Sequence, residues 1–483
     1  MPQQVPIREL EPRVRAGQKE VEMSVSADSR NQGPGGSSSA HLDDKALSNI
    51  VYSLVPREQL KAEGPSIYMS GEGPYVVDHK GRRLLEMMSA TTRANSLGYG
   101  NEEIARAMYD QAVKMQYSGS GPYLSEPAVE LAAKLAELAP GRLSRTCFVS
   151  GGSEATETAL KLARQYQKQS GAKPRAYKVI SRWNAYHGST LGALSVTDWL
   201  AVRDIPDPRA PGHSFVANPM RYRNPYGMDD ETYEDHCAMH LERQIQFEGP
   251  DLVAAFIGEP IMQAHGVQLP SPRYWKKVRE ICDRYGVLLI VDEVITGFGR
   301  TGHWFAAEHF DIEPDILTMA KAMGAGFAPI GAVMTRPDIA DGIPMFQHVH
   351  TFSGHAVACA ASRKVIEIKE RDGLIEKARV LGAQFGIDLS KALSDHPIVG
   401  DVRGLGFWHA IDFTRDKETK EPFEDDTVAA IAHRVRELGV IVGPIGSAIE
   451  IAPPLIVDES QLTECIQACA QSIDEISTER GLV

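Results

Sequence analysis

Nowhere in the 483 residues is there an apolar run long enough to cross a membrane, and the first residues hold no apolar core of signal-peptide length. Both absences predict a soluble, cytoplasmic protein. Positive charge is also short: 51 lysines and arginines stand against 64 acids, for a formal net charge of −13. Nucleic acid and anionic membrane surfaces are bound by clustered Lys and Arg, so neither is an expected partner. Cysteine is sparse, and the six (Cys147, Cys237, Cys282, Cys359, Cys465, Cys469) form no CxxC pair and no zinc-finger spacing. Cys465 and Cys469 share a helical face but lack further ligands, and read as ordinary reduced thiols. His236 and His240 stand four apart in the helical stretch 231–247, without the glutamate of HExxH or a third ligand. They read as a solvated helix face, and no metal is expected.

What is present is an ordinary globular composition in a chain long enough for two or three structural units. Its centre of interest is Leu288-Leu-Ile-Val-Asp-Glu-Val-Ile-Thr-Gly-Phe-Gly-Arg-Thr-Gly302. A short apolar, β-branched run closing on two carboxylates predicts a buried parallel strand ending at Asp292. A second apolar run, Ile316-Leu-Thr-Met-Ala, ends at Lys321 and is followed at once by small residues. Ligands of open α/β sheets bind outside the carboxyl ends of the strands. An acid and a lysine delivered to two such ends suit pyridoxal phosphate, which needs a lysine for its Schiff base and an acid for its pyridinium nitrogen.

The run DEVITGFGRTG followed by AKAMGAGFAPIGAV resembles the class III (ω-) aminotransferases, and the resemblance extends from about Gly64 to about Val457. It implies pyridoxal 5'-phosphate fold type I, an α/β fold. That is a large domain with a mostly parallel seven-stranded sheet flanked by helices, plus a small α+β domain from the N- and C-terminal segments. The expected limits are a flexible polar tail over 1–42, small-domain segments over 43–100 and 373–483, and the large cofactor-binding domain over 101–372. A strand–turn–strand pattern over 71–85, turning at His79-Lys-Gly81, opens the small domain.

Carried over residue by residue, the resemblance implies the following site. Lys321 holds the cofactor and then moves the proton, which requires a neutral amine near neutral pH. Asp292 stays ionised and keeps the ring nitrogen protonated. Tyr186, in the Tyr-His-Gly motif, stacks on one ring face, and Val294 packs the other. His187 beside it reads as a structural residue. Gly152 and Ser153 open a helix after a strand, where backbone N–H groups and the helix dipole receive the phosphate. Glu259, at the end of a buried strand, lies by the cofactor's phenolic edge or serves as a turn carboxylate. Thr351, in His350-Thr-Phe-Ser-Gly-His-Ala356, reaches the cofactor of the neighbouring subunit, which implies a homodimer with shared sites. Ala356 replaces the family's usual proline there.

Substrate recognition departs from the family. The arginine that many amine:pyruvate members place before a Pro-x-Gly turn is Gly443 here, and the one that ornithine-type relatives place before Pro-Pro-Leu is Glu450. Arg93 is the candidate replacement, entering the pocket to pair a substrate carboxylate; otherwise it is a surface arginine or pairs with Glu86. Glu450 either meets a distal substrate cation or faces solvent. The leading expectation is amino transfer from a primary amine or ω-amino acid to a keto acid such as pyruvate. Decarboxylation or racemisation on the same fold is the alternative, and a non-catalytic binding protein of this fold is a third.

Overall fold

The computed structural model describes residues 37–203, 208–424 and 426–483. Met1–Val51 forms one unit and Tyr52–Val483 another. The described part of the first carries a helix, Ser37–Asn49. It begins inside the stretch read as a tail, and the rest of that stretch lies outside the described residues.

The second unit is built on a seven-stranded sheet. Its order is Arg145–Val149, Gly331–Thr335, Ile316–Met319, Leu288–Asp292, Val253–Gly258, Lys178–Arg182 and His213–Val216. Gly331–Thr335 runs antiparallel to both neighbours, and the other pairings are parallel. Every residue of Val253–Gly258, Leu288–Asp292 and Ile316–Met319 is buried. Helices covering both faces of a parallel sheet demand that, which is why these strands read as unbroken apolar runs rather than alternating ones. The sequence therefore places its polar punctuation where the strands end, and those ends are where the site forms.

Two smaller sheets draw on both ends of the unit. Tyr68–Glu72, Tyr75–Asp78 and Arg83–Glu86 form a meander. The Asp78 carboxylate accepts the backbone N–H groups of Lys80 and Arg82 and so closes its second turn. Val440–Ile441 then adds in parallel to Arg83–Glu86, pairing Val440 with Leu85. The other sheet joins Val399–Leu405, Trp408–Phe413, Ala448–Ile451 and Gly443–Ile445, all antiparallel. Among the described residues no helix is long and apolar enough to cross a membrane.

Backbone meets backbone where the helix Leu374–Leu393 passes the turn at Gly406. A Cβ on Gly382 would lie 2.3 Å from the carbonyl of Gly406, and one on Gly406 would lie 2.4 Å from the carbonyl carbon of Thr301. The loop that follows Asp292 is thus stacked on a turn and a helix with no room for a methyl group. Alanine is the better helix former by about 1 kcal/mol, but overpacking costs typically about 1–3 kcal/mol and here has only rigid backbone to push against. Gly382→Ala should therefore lower the chemical-denaturation midpoint; an unchanged or raised midpoint would contradict the packing described.

Candidate functional site

The strand Leu288–Asp292 ends by presenting a buried carboxylate, 4% exposed, at the sheet's carboxyl edge. His187 Nδ1 donates to Asp292 Oδ2 at 2.6 Å, while Thr318 Oγ1 and the Val294 N–H each donate to Oδ1 at 3.0 Å. Burial by itself would raise this carboxyl's pKa. The hydrogen bond and charge of His187 outweigh it, aided by Val294 and Thr318, and hold the pKa below the ordinary carboxylate value. Asp292 is ionised.

The neighbouring strand Ile316–Met319 leads to Lys321, whose φ of 45° lies in the left-handed region. The side chain retains some accessible area because it opens onto the cavity, yet protein surrounds it on all sides. Burial pulls its pKa down to about 8, helped by the positive charge of Arg93; Asp292, Glu450 and Glu259 pull the other way. About a tenth of the amine is therefore neutral at pH 7, far more than for an ordinary lysine.

Both residues line one cavity. Gly152 and Ser153 line it too, at the start of the helix Gly152–Gln169, which no side chain caps. A Cβ on Gly152 would come within 2.9 Å of Val294 Cγ1, so the glycine lets the helix start and Val294 close together. Tyr186 forms another wall, its hydroxyl 3.1 Å from Ser189 Oγ and its ring edge-on to Trp199. Glu259 also lines the cavity and accepts from the backbone N–H groups of Tyr186 (3.4 Å) and Gln263 (3.2 Å). Burial raises its pKa. It borders the cavity and ties its turn at once.

Arg93 is not a surface arginine, and Glu450 does not face solvent. Arg93 is 9% exposed and Glu450 fully buried, and they pair with each other. Arg93 Nε donates to Oε1 at 2.7 Å, Nη2 donates to Oε2, and Trp408 Nε1 donates to Oε1 as well. With its amide oxygen turned toward the guanidinium, Gln263 accepts from Nη1 and Nη2 at 3.0 Å each. Glu86, the partner considered from sequence, instead accepts the N–H groups of Met88 and Ala90. Separations of 357 residues along the chain hide such a pair. Arg93 also ends a segment in which Ser89, Ala90, Thr91 and Arg93 all have positive φ, between 46° and 63°. Such backbone is strained for these residues and persists only where surrounding contacts hold it.

Thr351 is exposed and does not line this cavity; the Tyr117 hydroxyl donates to its carbonyl. His187, read as a structural residue, is buried and bonded to Asp292. Its adjacency to Tyr186 was the available signal, but the partner that matters lies 105 residues away. His240, read as part of a solvated face, has its Nδ1 accepting from the Ala217 N–H.

The family profile "Aminotransferase class-III" matches residues 59–473. The chain is a class III aminotransferase. It is 36% identical over 424 residues to a putrescine–pyruvate aminotransferase of Pseudomonas aeruginosa, covering 86% of this chain and 92% of that protein. It also superposes on an (S)-enantioselective ω-transaminase from Thermomicrobium roseum with a TM-score of 0.87 and 36% identity, over 90% of this chain and 98% of that one. A Pseudomonas jessenii ω-transaminase, solved in complex with PMP, gives a TM-score of 0.85 at 34% identity, over 91% and 99% of the two chains.

The family's cofactor is pyridoxal 5'-phosphate, and the cavity of this aminotransferase fits it. An uncapped helix start offers N–H groups to a phosphate, an ionised acid is available to a protonated ring nitrogen, and a buried amine of lowered pKa stands beside them.

In cofactor-free protein, Lys321 should react with an amine-directed reagent at a rate that rises with pH through a midpoint of about 8, not about 10.4 as for an ordinary lysine. Arg93 favours the neutral amine and Asp292 the charged one, so Arg93→Ala should raise the midpoint and Asp292→Asn lower it. A parent midpoint at the ordinary value would contradict the burial described.

Proposed function

We propose that this aminotransferase moves an amino group from a primary amine or ω-amino acid to a keto acid such as pyruvate, with Lys321 as the amine that holds the cofactor covalently. The observation that carries the reading is the shared cavity: a buried lysine of lowered pKa and an ionised, buried aspartate at the ends of adjacent parallel strands. The names of the relatives, aminotransferases and ω-transaminases, support transfer over decarboxylation or racemisation.

When bound, pyridoxal phosphate supplies an electron sink for the bond broken at the substrate carbon. The protein does the rest. Gly152 and Ser153 N–H groups receive the phosphate at the positive end of a helix. Tyr186 and Val294 cover the two ring faces. Asp292 keeps the ring nitrogen protonated, and His187, Thr318 and the Val294 N–H keep Asp292 charged and aimed. Glu259 borders the cofactor's phenolic edge. Lys321 Nζ, in its neutral form, would take the proton from the amine-bearing carbon of the substrate.

A second copy of the chain completes the site in this reading, with Thr351 reaching the neighbouring subunit's phosphate. Support comes from the surface around it. Phe352, Val349, Tyr123 and Leu124 are all more than half exposed, and the Tyr117 ring lies edge-on to Phe352 at 6.0 Å. Apolar side chains gathered at one exposed place mark association surfaces. Light scattering should give twice the chain mass, and Thr351→Ala should loosen the cofactor without unfolding the dimer. A monomer that retains cofactor would overturn the shared site.

Arg93 is proposed to receive the acceptor's carboxylate, with Glu450 as the anion it must leave. Removing either member of a buried pair typically costs about 3–5 kcal/mol, so folding must be verified in each variant. Arg93→Ala should then raise the KM for keto acids on the order of tenfold or more, the scale of a charge-assisted hydrogen bond, and leave neutral aldehydes little changed. Glu450→Gln, which frees the guanidinium, should lower the keto-acid KM. Equal effects on both acceptor classes would remove Arg93 from the substrate site.

The primary test is a visible spectrum of the protein loaded with pyridoxal phosphate. A band at about 400 nm should be lost on adding a suitable amine without acceptor, and Lys321→Ala should abolish covalent retention after borohydride reduction. A protein that takes up no cofactor overturns the reading.

A further inference from the structure

The helix Ala356–Arg371 carries a fully buried lysine, Lys369, in its last turn. Its Nζ donates to two backbone carbonyls, Phe298 at 2.9 Å and Ala322 at 2.9 Å. Burial drives its pKa well below the ordinary lysine value, and the one charged neighbour contributing, Arg300, acts in the same direction. Burial favours the neutral amine, whose two N–H donors match the two carbonyls it meets, and no carboxylate is among those partners.

The identity of those carbonyls gives the contact its meaning. Phe298 lies in the loop that follows Asp292, and Ala322 directly follows Lys321 in the chain. Phe298, Lys321 and Ala325 all have positive φ, of 61°, 45° and 47°. Two left-handed turns, one downstream of the acid and one bearing the lysine, are therefore joined by a single amine from a helix outside the cavity. Ser362 of the same helix adds a bond to the next carbonyl, with Oγ donating to Met323 at 2.8 Å.

We propose that Lys369 is a positioning residue that locks the loop after Asp292 against the turn carrying Lys321, and so sets the geometry between acid and amine. Strained turns need such outside constraint to persist, and a misplacement of about 1 Å at reacting groups can cost roughly a hundredfold in rate. The inference rests on the cofactor reading above.

The test compares parent and Lys369→Met, each loaded with pyridoxal phosphate. Methionine keeps the length and apolar stem and removes both donors. The readouts are the cofactor's visible circular dichroism, the pH midpoint of its absorbance band, and thermal midpoints with and without cofactor. The amine half-reaction is measured alongside.

Lys369→Met should keep the parent's far-ultraviolet spectrum and show an altered visible dichroism, a displaced band midpoint and a smaller thermal gain on loading. Its half-reaction rate should fall at least about tenfold with little change in amine KM. Lys369→Gln, whose amide is one atom shorter and still donates, should fall between the two, and it carries the comparison if the methionine variant does not fold. Equal loss of thermal midpoint with and without cofactor, beside an unchanged band and dichroism, overturns the proposal, and so does failure of both variants to fold. A parent that shows no cofactor band overturns the function proposed above and this inference with it; a parent band unaltered in Lys369→Met overturns only this one.

Discussion

The contact on which this site depends is the bond from His187 Nδ1 to the Asp292 carboxylate. Taking a lone carboxylate out of water ordinarily neutralises it, and a neutral acid could not hold a ring nitrogen in its protonated form. Here three donors converge on the two oxygens, from Tyr186's neighbour in sequence, from the adjacent strand and from the chain two residues on. They keep the charge where the sheet's geometry delivers it. Lys321 feels the consequence: Asp292 tends to keep the lysine protonated, and burial together with Arg93 prevails, leaving the pKa at about 8. Both pKa values are thus held below their ordinary values, which keeps the acid charged and brings the amine's deprotonation close to neutral pH.

Around that pair the backbone is held in conformations it would not adopt alone. Positive φ occurs at Ser89, Ala90, Thr91 and Arg93 on one side and at Phe298, Lys321 and Ala325 on the other. Buried basic side chains that bond backbone carbonyls, rather than carboxylates, brace these turns. Arg300 donates to Phe407 O, Pro453 O and Ser89 Oγ, joining the loop after Asp292 to the strained segment and to the C-terminal sheet. Its burial lowers its pKa to about 10. Lys369 does the corresponding work for the Phe298 and Lys321 turns. The glycines at 382 and 406 let the helix Leu374–Leu393, the turn at Gly406 and the backbone at Arg300 and Thr301 pack in direct contact.

Much of this was legible beforehand because it is local. A parallel strand buried on both faces must be apolar throughout, so Leu288–Asp292 and Val253–Gly258 announced themselves, and so did the residues at their ends. The strand–glycine–helix order at 145–169 and the turn at Gly81 follow from backbone rules that operate over a few residues. The motif spacing also brought the family into view. Side-chain partnerships across the fold were a different matter. The sequence offers Glu86, seven residues away, as a partner for Arg93, whereas the fold pairs it with Glu450 from the other end of the chain.

The sequence by itself determined the sheet type, the places where chemistry could stand and the residue types suited to it, because hydrophobic period and glycine placement act at short range. The tertiary structure alone decided which charges neutralise one another. Asp292 owes its ionisation to His187, Arg93 is answered by Glu450, and Lys369 reaches two turns it has no sequence relation to. Electrostatic state depends on distance and burial in space, and neither is written in the separation of residues along a chain.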